Sequence, residues 1–203
     1  HLMCYNTLSA NCTTGNYSIA NRLCNGSDGN AYIKIKSAID AMSVGDVIYM
    51  RGGTYRETNS STEVDIEIPY TKNGDSWASG HFNTLTSYPG EWAIIDGEGI
   101  APKGVVLGLK GMTYCPTCVL RYWKFEKFEI TGGGTIGNDN QAGAGLWLPE
   151  GPFIIRYLYI HDNWDDSQLG NPAGLLMYRP QNSIIEYMYF YDNGCYAGGN
   201  CGQ

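Results

Sequence analysis

A chain of 203 residues is long enough for one domain with a sizeable core, and its composition is skewed to 27 Gly and 16 Tyr with only 16% charged residues. Its net charge of -7 excludes the overall basic footprint of a nucleic-acid binder, and no apolar run approaches the ~18 residues of a membrane span. Seven cysteines (Cys4, Cys12, Cys24, Cys115, Cys118, Cys195 and Cys201) favour an oxidising setting, extracellular or at the cell surface, and their odd number leaves one thiol free or paired to another chain.

Residues 1–31 are rich in Asn, Ser, Thr, Gly and Cys and carry no apolar period. They read as a disulfide-tethered N-terminal segment without regular structure, ahead of a domain spanning 32–203. No basic and apolar leader opens the chain, as expected of a secreted protein in mature form. Asn11, Asn16, Asn25 and Asn59 stand in Asn-x-Ser/Thr sequons and are candidate glycosylation sites. Over residues 33–42, Ile35, Ala38, Ile39 and Met42 fall at helical spacing, which predicts one short amphipathic helix closed by Ser43-Val-Gly-Asp46. Val47-Ile-Tyr-Met-Arg51 is the first predicted strand of the domain, and Gly52-Gly-Thr-Tyr-Arg56 turns out of it.

One pattern is then written three times. Lys127-Phe-Glu-Ile-Thr-Gly-Gly133 is followed 30 residues on by Tyr157-Leu-Tyr-Ile-His-Asp-Asn163, and after another 30 by Tyr187-Met-Tyr-Phe-Tyr-Asp-Asn193. Between the copies, Ala144-Gly-Leu-Trp-Leu148 recurs as Ala173-Gly-Leu-Leu-Met177 at an offset of 29. A period of this size marks a solenoid, propeller or array. Apolar residues alternate within each copy, as in half-buried strands, and no helical period lies between them, so the prediction is an all-β solenoid. A single repeat exposes two strand edges and half a core, and therefore needs neighbours.

The helix followed by Gly45-Asp-Val-Ile-Tyr-Met-Arg-Gly-Gly-Thr-Tyr-Arg-Glu57 resembles the opening of right-handed parallel β-helix proteins of the pectate-lyase-like, polysaccharide-lyase-like type. Leu85-Thr-Ser-Tyr-Pro-Gly-Glu-Trp-Ala-Ile-Ile-Asp-Gly97 is similar to the second coil of that superfamily, and the repeats after Phe125 to its later coils. The resemblance covers roughly residues 33–203. It implies a right-handed parallel β-helix of about five coils, from residue 47 onward, capped at its N-terminal end by the helix. The C-terminal end carries no comparable cap, which leaves open a fragment of a longer solenoid, a covering by the Cys195–Cys201 segment, or a covering by another subunit.

Equal offsets stack corresponding residues at ~4.8 Å in a parallel ladder. Phe128/Leu158/Met188 and Ile130/Ile160/Phe190 are then inward columns. Asn163 and Asn193 form a structural asparagine ladder, and Glu126/Arg156/Glu186 an ion-pair column. Lys127/Tyr157/Tyr187, Glu129/Tyr159/Tyr189 and Thr131/His161/Tyr191 would project from one sheet as a broad aromatic face. Tyr157, Tyr159, Tyr187, Tyr189 and Tyr191 are thus candidate substrate-binding residues for a sugar or glycan surface, with ordinary cross-strand stacking as the structural alternative.

Asp162, Asp165 and Asp166, in His161-Asp-Asn-Trp-Asp-Asp166, are candidate ligands for Ca2+. Asp-rich turns after strands also serve as plain turns. The resemblance implies that Ca2+ neutralises a uronate carboxylate while a basic side chain abstracts the neighbouring proton; Arg179, a candidate partner of Glu150, and His161 are the candidate catalytic groups. Polygalacturonase-like hydrolysis fits less well, because Trp164 precedes the Asp pair and neither a Gly-His-Gly nor an Arg-Ile-Lys segment is present. Cys115-Pro-Thr-Cys118 lacks the second ligand pair of a zinc site and reads as a loop disulfide or as bridges to other cysteines. Gly132 to Gly137 reads as an excursion between coils. Three functions remain open. They are a lyase acting on an acidic polysaccharide, a non-catalytic carbohydrate-binding or adhesion module, and a structural subunit that assembles as a homo-oligomer or filament.

Overall fold

The computed structural model describes residues 1–57, 64–98, 105–109, 119–135, 144–165 and 173–195. The chain opens with strands β1 (Leu2–Cys4) and β2 (Asn30–Tyr32), followed by helix α1 (Ile35–Ala41). Strands β3 (Val47–Met50), β4 (Gly53–Tyr55) and β5 (Val64–Ile68) come next, and β6 (Asn83–Ser87), β7 (Ala93–Asp96) and β8 (Val105–Leu109) repeat their order. The following turn of the chain carries β9 (Trp123–Thr131), β10 (Gly134–Thr135) and β11 (Ala144–Leu148). Then come β12 (Phe153–His161), β13 (Trp164–Asp165) and β14 (Ala173–Met177), and finally β15 (Ile184–Glu186), β16 (Tyr189–Tyr191) and β17 (Gly194–Cys195).

Every pairing between these strands is parallel, and each strand pairs with its counterpart one repeat away. The two offsets seen in the sequence are the registers: Phe128 faces Leu158 and Ile130 faces Ile160 across 30 residues, while Ala144 faces Ala173 across 29. Three inward columns result. Ile48, Leu85, Phe125 and Ile155 form one, Tyr55, Ile95, Ile130 and Ile160 the second, and Ile66, Leu107 and Leu146 the third. All are buried in one cluster. Each such side chain contributes about 1.5–3 kcal/mol by leaving water, so the columns supply the main drive for stacking.

β9 and β12 are each two strands joined by one left-handed residue. Lys127, Tyr157 and Tyr187 have φ of 59°, 55° and 54°. On either side of Lys127 the buried set changes phase, from Trp123 and Phe125 to Phe128 and Ile130. A continuous strand would keep one phase, since its side chains alternate with period two. The residues before the bend therefore stack on β6 and β3, while those after it stack on β7 and β4. The single Tyr-rich sheet expected from the sequence is in fact two faces meeting at a corner.

The asparagine ladder is present. Asn163 is fully buried; its Oδ1 accepts from the Gly133 N–H at 2.8 Å, and its Nδ2 donates to the His161 carbonyl at 2.9 Å and to Asn193 Oδ1 at 2.8 Å. This explains the glycine in the repeated Ala-Gly-Leu. A Cβ on Gly145 would sit 2.9 Å from Asn163 Nδ2, and one on Gly174 would sit 3.0 Å from Asn193 Nδ2. The offset-29 repeat thus leaves room for the offset-30 repeat.

Residues 1–31 are more ordered than their composition suggests. β1 pairs with β3 and with β2, so the segment adds two strands to the main sheet. Leu2 and Cys4 bury themselves beside Ile35 and Ile39 of α1, and Cys12 is bonded to Cys24 within the segment itself. Short apolar stretches, Leu2-Met-Cys4 and Ala31-Tyr32, suffice because they meet a sheet edge that is already formed. Cys4 is a free, buried thiol, and burial raises its pKa well above the ordinary value. The Glu57 carboxylate accepts the backbone N–H groups of Ile35 and Lys36, the latter at 3.1 Å, and so ties the start of α1 to the strand that follows β3. Cys115, Cys118, Cys201, Asn59 and Asp166 lie outside the described residues. Among the described residues, no helix is long and apolar enough to cross a membrane.

Candidate functional site

The corner between the two faces carries the predicted tyrosines. Tyr157 and Tyr187 occupy the left-handed column, where the side chain is thrown outward, and their rings stack in parallel at 4.8 Å with an interplanar angle of 2°. Tyr159 and Tyr189 follow on the next face at 5.4 Å. All four are exposed, Tyr187 the most at 67%. A groove of about 360 Å3 runs between them, lined by Trp92, Lys127 and the four tyrosines. Trp92 had no place in the repeat pattern, because it lies in the turn before β7, where no column fixes its register. Its ring meets Tyr159 edge-on at 5.2 Å, and its Nε1 donates to Glu129 Oε2 at 3.3 Å.

His161 was expected to project with the tyrosines, but it is 7% exposed. Tyr191 stacks on its ring at 4.2 Å, Glu129 Oε1 lies 2.9 Å from Nε2, and Asp162 Oδ2 lies 2.7 Å from Nδ1. Carboxylates only accept, so both contacts are hydrogen bonds at once only when the ring carries two N–H groups. The Tyr191 hydroxyl is held above its usual pKa by lost hydration and then by the charges of Glu129 and Asp162, so it stays a neutral phenol.

The acidic candidates divide. Asp162 turns its carboxylate to His161, and Asp165 is described only in its backbone, which pairs with Thr135 and Cys195. Glu129 and Asp162 bond opposite nitrogens of one ring and so do not converge on a common point. Among the described residues, no group of three or more His, Cys, Asp or Glu is placed to hold a metal ion. Arg179 lies 3.7 Å from Glu150, the pair anticipated from the sequence, and its guanidinium rests over Tyr178 at 4.9 Å. Arg179 lies in the turn before β15, beside Glu150 in the corresponding turn before β12, whereas His161 ends β12, so the two basic candidates sit at opposite ends of this stack of strands.

Of the candidate glycosylation sites, Asn11 and Asn25 are exposed, although Asn11 Oδ1 also accepts the Ile33 N–H at 2.9 Å. Asn16 is half-buried and its Nδ2 reaches the Cys24 carbonyl at 3.4 Å, which leaves its amide less accessible.

Parallel sheets stacked around three inward columns, with one short helix, define an all-β protein of the parallel β-helix type. The chain is 32% identical over 161 residues to pectate lyase PEL9 of Emericella nidulans. That stretch is 68% of this chain and 36% of the relative, so the chain spans little more than a third of the relative's length. No family model and no solved structure matches the chain. Sequence and architecture together make the chain similar to a pectate lyase over two-thirds of its length, with parallel sheets consistent with a β-helix.

Proposed function

We propose that this protein is secreted and acts on an acidic polysaccharide by lyase chemistry, with Tyr157, Tyr159, Tyr187, Tyr189 and Tyr191 as its sugar-contacting face. The observation that carries this reading is the identity to a pectate lyase over two-thirds of the chain. The same homology favours a right-handed solenoid of about five coils closed at one end by α1, whose Ile35, Ala38 and Ile39 are buried against the first coil.

In lysis of a uronan, a base takes the proton from the carbon bearing the carboxylate. The electron pair forms a carbon–carbon double bond as the glycosidic C–O bond breaks, and the leaving oxygen takes up a proton. Arg179 and His161 are the basic groups offered to that proton, each engaged by carboxylates in the free protein. Bound Ca2+ would neutralise the uronate carboxylate, and Asp162, Asp165 and Asp166 are the carboxylates offered to it. The described member, Asp162, is turned to His161 and does not fit such a site, so no step is assigned to the ion.

Incubation with a panel of anionic polysaccharides is expected to release unsaturated products that absorb in the near ultraviolet. Arg179→Ala should slow their release by about 100-fold or more if Arg179 is the base. A panel that yields no unsaturated product from the parent chain removes the lyase reading.

A second reading is a non-catalytic subunit that self-assembles. Ile185 and Phe190 continue two inward columns, yet are 48% and 46% exposed, and a second copy stacked on them would bury both. Sedimentation should then show dimers or longer species that dissociate in Phe190→Asp, whereas a monomer at all concentrations excludes that assembly.

A further inference from the structure

Residues 5–29, between β1 and β2, form a lobe on the outside of the first coil with a core of its own. Leu8, Cys12 and Tyr17 of the lobe join Met3 and Ala31 there, against half-buried Tyr49 and Tyr88 of the solenoid, and this small core shares no residue with the main one. The lobe backbone is held by isolated bridges, Cys12 to Ala31, Asn16 to Gly29 and Ser18 to Leu23, and not by a ladder. The Cys12–Cys24 disulfide, across 12 residues, is its covalent closure. Cys12 is 1% exposed, whereas Cys24 lies on the surface.

Three residues inside the disulfide loop reach one ion pair of the solenoid. Arg51 Nη1 donates to the Tyr17 hydroxyl at 3.3 Å and to the Ile19 carbonyl at 3.0 Å, and Arg22 Nη2 lies 3.2 Å from Glu91 Oε1. Arg51 holds the same carboxylate through Nε at 3.0 Å. Glu91 in turn accepts the Gly52 N–H at 2.6 Å, and the next residue, Trp92, accepts the Gly53 N–H on its carbonyl at 3.3 Å. The disulfide loop, Arg51, Glu91 and the turn that carries Trp92 are thus one continuous set of contacts. It ends at the Trp92 ring, 5.2 Å from Tyr159.

We propose that the Cys12–Cys24 disulfide is a redox-sensitive latch. Closed, it holds the lobe on Arg51 and Glu91 and fixes the Trp92 turn; reduced, it lets lobe and turn loosen while the stacked coils stay folded. A small dithiol supplies the two electrons. Its thiolate attacks the exposed Cys24 sulfur, the S–S bond breaks, and the Cys12 sulfur leaves as a thiolate and takes up a proton. The second thiol of the reductant then displaces Cys24 from the mixed disulfide, so the reductant ends as a disulfide and both cysteines as thiols. Releasing a closed loop of this size favours opening by about 100-fold, and a lobe with a small separate core opens ahead of the rest. What the latch regulates rests on the reading of the aromatic face above; the latch itself needs no ligand.

The test is hydrogen exchange on the full chain without ligand, oxidised, in dithiothreitol, and as Cys12→Ser with Cys24→Ser. Reducing the folded parent avoids any failure of the double variant to fold, and the double variant confines the change to this one bond. The Gly52 and Gly53 amides report Glu91 and the Trp92 turn, while the Gly133 amide, bonded to Asn163 Oδ1 at 2.8 Å, reports the stack. Exchange at Gly52 and Gly53 is expected to accelerate by about tenfold or more on reduction and in the double variant, with Gly133 unchanged, and to slow again on reoxidation. Alkylation followed by mass spectrometry should find Cys12 and Cys24 labelled while Gly133 is still protected. No acceleration at Gly52 and Gly53, an equal acceleration at Gly133, or a disulfide that is reduced only on global unfolding overturns the proposal. Because the amides are read without polysaccharide, a chain that forms no unsaturated product fails the lyase reading alone.

Discussion

Glu91→Ala is expected to lower the stability of the fold by about 3–5 kcal/mol, the cost of leaving a buried arginine without its counter-ion. Arg51 is 4% exposed, and its Nε lies 3.0 Å from both Glu91 oxygens. Its Nη1 donates to the Ile19 carbonyl at 3.0 Å and to the Tyr17 hydroxyl at 3.3 Å, and the guanidinium lies 4.6 Å over the Tyr88 ring. Glu91 also accepts the Gly52 N–H at 2.6 Å and faces Arg22 at 3.2 Å. This one carboxylate therefore joins the N-terminal segment, the end of β3 and the turn before β7. Urea denaturation followed by tyrosine and tryptophan fluorescence measures the loss; a midpoint equal to the parent's would show that Arg51 finds another partner. Replacing both charges, Arg51→Met with Glu91→Leu, should recover much of the stability, because burying the pair also costs hydration.

The same pair sets part of the pH dependence. Hydrogen bonding to Arg51, against some desolvation, holds the Glu91 pKa below its ordinary 4.5. Its contribution is therefore present above that value and is lost as pH falls through the lower folded-state pKa. Glu57 works in the opposite direction. Burial raises its pKa above 4.5, although the helix N–H groups and nearby lysines partly offset this. Its contribution is full below 4.5 and is lost as pH rises through the folded value. Glu91→Ala should accordingly flatten the loss of stability on the acid side of pH ~4, measured as the urea midpoint against pH.

Asn163→Ala is expected to cost about 2–5 kcal/mol, since it takes the side-chain partner from the Gly133 N–H and the His161 carbonyl and leaves Asn193 Oδ1 only the longer 3.4 Å contact with the Asn163 N–H. Asn193→Ala should cost less, because Asn193 is only half-buried. Hydrogen exchange at the Gly133 amide provides a local readout. Its protection should vanish in Asn163→Ala and persist in Asn193→Ala. Protection that survives in Asn163→Ala would mean that the ladder is not what holds that turn.

Much of this architecture is legible in the residues. A constant offset of 30 assigns Phe128 to Leu158, Glu126 to Arg156 and Asn163 to Asn193 without further information, since in a parallel stack an equal sequence offset means direct contact. The corner was also written there, as consecutive outward residues Glu126 and Lys127. Spacing does not reveal it, because Lys and Tyr give no signal for the left-handed conformation that Gly or Asn usually supply. The order within residues 1–31 was hidden for a related reason: β1 and β2 carry three residues each, too few to show a period, and form against a neighbouring strand.

The site was less legible than the fold. The tyrosine columns followed from register, but their partners did not. Trp92 lies outside the repeat, and the burial of His161 depends on Glu129 and Tyr191 closing on it from neighbouring coils. The sequence by itself determined the repeat, its two registers, the inward columns and the aromatic composition of one edge, because these depend only on spacing. Tertiary structure decided the other charge pairings. Arg22 and Arg51 both reach Glu91, and Arg56 reaches Asp96 and Glu98, because the fold brings together turns that are distant along the chain. Pairing of charges is a matter of distance in space, which spacing along the chain supplies only for residues that share a column.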